Sequence, residues 1–247
     1  MGLGDHLMVT ADARDEFARH GRKMIVGPRA EWNPLFEGNP YLLKKPTPGC
    51  MVLNNYTGNR PYIARIEDGR TIFSKYKVRP GEIYLRFSER HWASKKVPDE
   101  PFIVVEPHTK GQVYAQNKSW GHERYQAVVN AVPFKWVQIG PKKTLKGVHF
   151  IQTPTFRDAC AVLEKAHLFL GGEGGLHHAA AALGVPAVVI FGGCASPAVT
   201  GYDGHINLAY GEPCGSMRPC PHCVEAMSKI TVDQVVQSCL SLTHTES

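Results

Sequence analysis

The chain has no run of about 18 apolar residues, so the sequence offers no transmembrane helix. Its opening, MGLGDHLMVTADARDEF, lacks the basic start and apolar middle of a secretory signal, which leaves the cytoplasm as the expected compartment. There is no internal repeat and no low-complexity segment, which excludes solenoid and tail-like architectures. The spaced glycine fingerprint G-x-G-x-x-G of dinucleotide-binding enzymes is also missing. Charged residues make up only 20% and aromatics 9%, against 43% hydrophobic. With 247 residues, that composition suits one large domain or two compact lobes with a real core.

Glycine and cysteine are plentiful, and charge is unevenly spread. Residues 1–98 hold 17 Lys and Arg against 10 Asp and Glu, a surplus of seven, whereas residues 99–247 hold 11 against 12. The basic front half suggests an anionic partner, although a solvated Lys/Arg surface would read the same way.

The stretch His167–Gly193, HLFLGGEGGLHHAAAALGVPAVVIFGG, dominates the rest. His167–Leu170 is a short apolar strand, followed by the glycine turn Gly171–Gly175. An alanine-rich helix over Leu176–Leu183 is closed by Gly184 and Pro186, and Ala187–Phe191 is a second apolar strand. Together they form a βαβ unit of a parallel sheet. Such a turn can serve packing alone, but it also brings backbone N–H groups and a helix start close to an anion. Glu173 inside the turn can accept hydrogen bonds from sugar or ribose hydroxyls, and the pair His177-His178 can donate to a phosphate. These residue types together favour a nucleotide-sugar-like ligand.

The run from Glu173 through Pro186, with Val189-Ile190-Phe191-Gly192 after it, resembles the donor-binding segment of glycosyltransferase family 9, the ADP-heptose:lipopolysaccharide heptosyltransferase group. The family pattern is Asp-Ser/Thr-Gly, two residues, His, a small-residue helix, Gly-x-Pro and a strand ending in Phe-Gly. Glu173 stands in place of the family's Asp and Gly174 in place of its Ser/Thr, while Gly175 and His178 match its Gly and His.

The resemblance extends forward. Gly4-Asp5-His6-Leu7-Met8 is similar to the family's N-terminal Gly-Asp motif, which implies Asp5 as the general base that takes a proton from the acceptor hydroxyl. The strand that precedes this motif in the family is absent here, so the chain reads either as a minimal form or as one lacking its start; Asp5 also fits a helix N-cap. Thr109 and Lys118-Ser119-Trp120 match the hydroxyl loop and Lys-x-Trp that hold donor phosphates in the family. Lysine and helix N-termini can carry that charge without a divalent cation.

Elsewhere the patterns predict a helix over Met8–His20, strands at Lys23–Val26, Gly49–Asn54 and Glu82–Phe87, and a hinge at Pro98–Pro101. In the second half they predict a central strand at Phe102–Glu106, a helix over Glu123–Val132, a strand at Lys135–Gly140, and helices over Phe156–Ala166 and Thr231–Leu242. This alternation predicts a doubly wound α/β sheet with ligand at the carboxyl ends of its strands.

Four of the seven cysteines gather late: Cys194, then Cys214, Cys220 and Cys223. Cys220-Pro221-His222-Cys223 has the C-x-x-C spacing that lets two thiolates share one metal ion. Its placement in a Pro-rich loop favours a tetrathiolate iron or zinc site over a redox dithiol or free cysteines, with His222 able to replace Cys194. The knuckle resembles the structural iron-finger of autotransporter heptosyltransferases. Cys50, Cys160 and Cys239 read as buried small hydrophobes.

The expected whole is α/β: a compact GT-B-type protein of two Rossmann-like lobes with a shortened N-terminal lobe. Residues 1–98 form the acceptor-side lobe, and residues 99–247 the nucleotide-sugar-binding lobe with the metal knuckle at 194–223. The expected activity is inverting transfer of a heptose-like sugar from a nucleotide-diphosphate donor, ADP-heptose-like, to an anionic glycan, a protein or a nucleic acid. The alternatives are a non-catalytic nucleotide-sugar-binding protein and a metal-knuckle nucleic-acid-binding module.

Overall fold

The computed structural model describes residues 2–27, 32–53, 60–109 and 113–243. Lys110 and Asn54, which belong to the predicted loop and strand, lie outside the described residues. The first part of the chain is built from α1 (Leu3–His20), β1 (Met24–Val26), a 3-10 turn at Pro34–Phe36, β2 (Met51–Leu53), β3 (Ile63–Glu67), β4 (Arg70–Phe73) and α2 (Phe87–Ser94). The second part runs β5 (Phe102–Glu106), a 3-10 helix at Val113–Lys118, α3 (His122–Ala131), β6 (Lys135–Gly140), β7 (His149–Gln152), α4 (Phe156–Leu163), β8 (Leu168–Gly172) and α5 (Gly175–Leu183). It closes with β9 (Ala187–Gly192), α6 (Pro197–Thr200), β10 (His205–Ala209), α7 (Pro221–Lys229) and α8 (Val232–Thr243). No described helix is long and apolar enough to cross a membrane.

A six-stranded sheet organises the molecule, in the order β7-β6-β5-β8-β9-β10. Every neighbouring pair is parallel. Read in chain order this is 3-2-1-4-5-6, the doubly wound arrangement whose direction of growth reverses between its first and fourth strands. Here those strands are β5 and β8. Alternation along them divides the core. Val104, Val137, Phe169 and Val189 face one layer with Leu7 of α1, Cys160 and Val162 of α4, and Ala179 and Ala180 of α5. Ile103, Val105, Trp136, Leu168, Leu170 and Val188 face the other with Tyr125 and Val128 of α3, Met227 of α7, and Val235 and Cys239 of α8. Burial on both faces is why these strands read as unbroken apolar runs.

Among the described residues, the first part adds a two-stranded parallel sheet, β1-β2, and the antiparallel hairpin β3-β4. Its core joins Met8, Val9 and Ala13 of α1 to Met24, Val26, Phe36, Leu42 and Leu53. Two expectations change here. The first helix starts at Leu3 rather than Met8, so Asp5 lies in its first turn. Glu82–Phe87 is not a strand: Phe87 already belongs to α2, and Thr10 Oγ1 accepts the Glu82 N–H at 2.7 Å while Arg157 Nη2 donates to the Tyr84 carbonyl at 2.6 Å. Side chains thus satisfy backbone groups that a ladder would otherwise claim. The hairpin, for which the patterns gave no expectation, turns at Asp68-Gly69, with φ of 49° and 71°, the Asp-Gly signal of a type I′ turn.

The C-x-x-C also differs from its expected loop setting, since Cys220 caps α7 and Cys223 lies in its first turn. Cys160 and Cys239 are buried as expected, whereas Cys50 is half-buried.

Candidate donor-binding site and cysteine knuckle

The carboxyl ends of β5 and β8 open onto a cavity of about 430 Å³, the position at which open α/β sheets bind ligand. Thr109, Lys118, Glu173, Gly174, Gly175, His178 and Asp5 all line it, although they come from stretches far apart in the chain. The cavity therefore gathers every residue expected for donor and base.

Glu173 follows β8, where its N–H bonds to the Ile190 carbonyl at 3.1 Å. The Lys118 ammonium, delivered by the end of the 3-10 helix, pairs with its Oε2. His178 Nε2 lies 3.8 Å from Oε1. The His178 ring is almost wholly buried, and burial lowers its pKa, so the imidazole is neutral near pH 7. Its Nδ1 is 2.7 Å from the Tyr202 hydroxyl, whose own pKa burial pushes upward. With Tyr202 donating, the neutral ring carries its proton on Nε2, toward the Glu173 side of the cavity. Glu173, His177 and His178 also bring ligand-type atoms within 4.8 Å of one another, but the Lys118 ammonium already occupies Glu173.

Gly174 precedes α5 in extended backbone, and no side chain caps the helix. The first-turn N–H groups therefore keep donor capacity at the cavity, and the helix dipole adds partial positive charge.

Asp5 is 5% exposed. Its Oδ1 accepts from the Tyr62 hydroxyl at 2.7 Å, and its Oδ2 from the Gly2 N–H at 2.8 Å and Arg60 Nε at 3.0 Å. Burial and the Asp5 charge both raise the Tyr62 pKa, so the phenol remains a donor. Next to it, Gly4 shows why the Gly-Asp pair is a unit: a Cβ at Gly4 would lie 2.4 Å from Cδ2 of His178. Close approach of α1 to α5 is what brings Asp5 to the donor side. Sequence reasoning missed Arg60, Tyr62 and Tyr202, which sit in stretches without a pattern. It also missed Glu106, which accepts from His108 N at 2.8 Å and lies 2.7 Å from its Nδ1 beside the cavity.

The cysteines converge beyond the ends of β9 and β10. Cys214 Sγ lies 3.2 Å from Cys223 Sγ and 3.9 Å from Cys220 Sγ. Four thiolates at about 2.3 Å around a tetrahedral ion would stand roughly 3.8 Å apart, so the donor set fits a metal ion. His222 brings a ring nitrogen within 4.8 Å of the same sulfurs. Cys194 packs in the same cluster, tied in by the Gly215 N–H to its carbonyl at 3.0 Å. The Cys223 backbone N–H lowers the pKa of Cys220, whereas burial and the neighbouring thiols raise that of Cys223.

No family model matches this sequence, and no curated protein matches it. Solved structures do. A family 9 glycosyltransferase of Veillonella parvula superposes over 94% of this chain and 77% of its own, at 16% identity and a TM-score of 0.55. The iron-containing dodecameric glycosyltransferase TibC from enterotoxigenic E. coli superposes over 68% of this chain, at 17% identity and a TM-score of 0.52. The fold is like that of a family 9 glycosyltransferase. The E. coli ADP-heptose lps heptosyltransferase II reaches a TM-score of 0.48 at 17% identity. This chain spans about half the length of TibC and of heptosyltransferase II, at 51% and 53%. The six-stranded parallel sheet flanked by helices, all in the second part of the chain, matches these GT-B-like neighbours.

Proposed function

We propose that this chain is a glycosyltransferase that moves a sugar, heptose-like, from a nucleotide-diphosphate donor to an acceptor hydroxyl with inversion. The observation that carries the reading is the meeting of Lys118, Glu173 and His178 at the β5/β8 switch point, with Asp5 on the same cavity. Lys118, Thr109, His178 and the N-terminus of α5 hold the diphosphate, while Glu173 accepts from sugar or ribose hydroxyls. Charge develops on the departing diphosphate, so these fixed donors supply most of the rate. Asp5 takes the acceptor proton once Arg60 and Tyr62 have oriented it. Residues 1–98 form the acceptor side and residues 99–247 the donor side, and the basic surplus of the former suits an anionic acceptor. Cys214, Cys220 and Cys223, with Cys194 or His222 as fourth ligand, hold a structural iron or zinc ion.

One observation favours a second reading, a nucleotide-sugar binder without turnover: both Asp5 oxygens are already engaged. A thermal-shift panel of ADP, other nucleoside diphosphates and nucleotide sugars, with donor hydrolysis followed in parallel, separates the readings. The transferase reading expects a rise in Tm that is lost in Lys118→Ala and Glu173→Ala. It also expects Asp5→Asn to keep the rise while turnover falls at least a hundredfold. Binding with no turnover in either Asp5 form selects the binder, and no shift with any nucleotide sinks both.

A further inference from the structure

The cysteine knuckle and the donor cavity are one hydrogen-bonded unit, and the joint is Asn117. It is 1% exposed and directly precedes Lys118. Its Nδ2 donates to the Ser216 carbonyl at 3.1 Å and the Arg218 carbonyl at 2.7 Å, and its Oδ1 accepts from the Cys220 N–H at 3.0 Å. Both ends of the carboxamide are therefore spent on the backbone between Cys214 and Cys223.

The same loop grips the opposite wall. The Thr71 N–H bonds to the Gly215 carbonyl at 2.7 Å and the Met217 N–H to the Gly69 carbonyl at 2.9 Å, with an antiparallel bridge between Arg70 and Ser216. The approach is tight enough to require glycine: Gly215 has φ of +60°, and a Cβ there would lie 2.0 Å from the Thr71 carbonyl oxygen. The hairpin β3-β4 in turn presents Ile63, Thr71 and Phe73 to the cavity, just after the Arg60 and Tyr62 that hold Asp5.

We propose that Asn117 is a positioning residue that transmits the metal-held shape of the knuckle to Lys118, so that donor affinity depends on the knuckle being filled. This deepens, and rests on, the nucleotide-donor reading above. The knuckle supplies no group to the reaction itself. Its backbone fixes where the 3-10 helix at Val113–Lys118 ends, and that end decides whether the Lys118 ammonium stands at the diphosphate.

The test uses the full chain loaded with Zn(II) or Fe(II), with ADP as the probe. Asn117→Ala keeps all its sulfur ligands and is expected to retain one metal equivalent by elemental analysis. It should bind ADP roughly tenfold more weakly, the scale of one misplaced charge-assisted hydrogen bond. Stripping the wild type with chelator should weaken ADP by a similar factor, and stripping Asn117→Ala should weaken it no further, since the two changes break one connection. Hydrogen exchange gives an arm that needs no nucleotide: stripping should speed exchange at residues 113–118 in the wild type, but not in Asn117→Ala, where it is already fast.

The proposal is overturned if stripping leaves both ADP affinity and exchange at 113–118 unchanged. It is overturned equally if Asn117→Ala loses its metal in step with its ADP binding. A loaded wild type that ignores ADP would remove the donor reading and the affinity claim with it, while the exchange arm would still decide the Asn117 connection.

Discussion

The two parts of this chain reach their structures by different routes. From Phe102 onward, strands mostly alternate with helices, the inner strands β5, β8 and β9 are buried on both faces, and the sheet grows outward from β5 in both directions. Before Phe102, two three-residue parallel strands, a hairpin and two helices share a smaller apolar core and are tied to the second part by specific contacts. One half rests on distributed apolar burial, which tolerates loss at any one position. The other rests on individual joints such as Arg157–Glu89, Gly4–His178 and Gly215–Thr71, each of which breaks as a whole. The cavity lies where the two meet, so its geometry inherits the sensitivity of the joints.

The largest expected effect comes from the joint between α4 and the residues before it. Arg157, 6% exposed, reaches Glu89 through Nε at 2.7 Å and Nη2 at 2.8 Å, and donates to the carbonyls of Tyr84 and Pro34. Removing one partner of a buried pair leaves an uncompensated charge and orphaned carbonyls, so Arg157→Ala should cost about 3–5 kcal/mol in urea unfolding. By contrast, Val104→Ala in the distributed core should cost about 1–3 kcal/mol. A smaller loss at Arg157 than at Val104 would undo the contrast.

Next comes Gly4→Ala. Alanine would ordinarily favour a helix by up to about 1 kcal/mol. Here its Cβ meets the His178 ring, which Tyr202 holds in place, so the sign reverses and about 1–3 kcal/mol is lost. Adding His178→Ala should recover most of that stability while leaving nucleotide binding impaired, as a double-mutant cycle by thermal melting and calorimetry would show.

The smallest effects are in pH, and they have opposite signs. Burial opposes ionisation of Glu89, but hydrogen bonds from Arg157 and the Arg86 N–H outweigh it and hold its pKa below the ordinary value. A lowered folded pKa contributes stability that is present above the unfolded pKa and is lost as pH falls through the folded one, in the range below about pH 4.3. In the second part, the hydrogen bond that His108 makes to Glu106 raises the pKa of His108. That contribution is full below about pH 6.5 and fades as pH climbs through the higher folded value. Arg157→Ala should flatten the acid limb of the stability curve, and Glu106→Gln the limb above neutrality. Identical curves for either variant and the wild type would refute the assignment.

The second part was legible because its signals are local and redundant. Residues 102–105 and Ala187–Phe191 are apolar throughout because both faces of a parallel strand are covered, and the glycine turn at the end of β8 announces itself in five residues. The C-x-x-C was equally plain, although its position at the head of α7 was not. The first part was opaque for the converse reason. Glu82–Phe87 alternates like a strand, yet its backbone bonds go to Thr10 and Arg157, residues far away in sequence. The Asp68-Gly69 turn was present in the sequence, but the strands around it carry exposed polar residues and gave no face to read.

By itself, then, the sequence determined the strand–helix order of the second part and set the late cysteines together, and its resemblance singled out Thr109, Lys118, Glu173 and His178, which line one cavity. Each depends on neighbours within a few positions. Tertiary structure alone decided that Arg60 and Tyr62 hold Asp5, that the Tyr202 hydroxyl meets His178 Nδ1, and that Asn117 joins the knuckle to the helix ending at Lys118. Those are hydrogen bonds between single polar side chains brought together by packing, and a lone Asn, Tyr or Arg in a chain carries no periodicity that would mark it in advance.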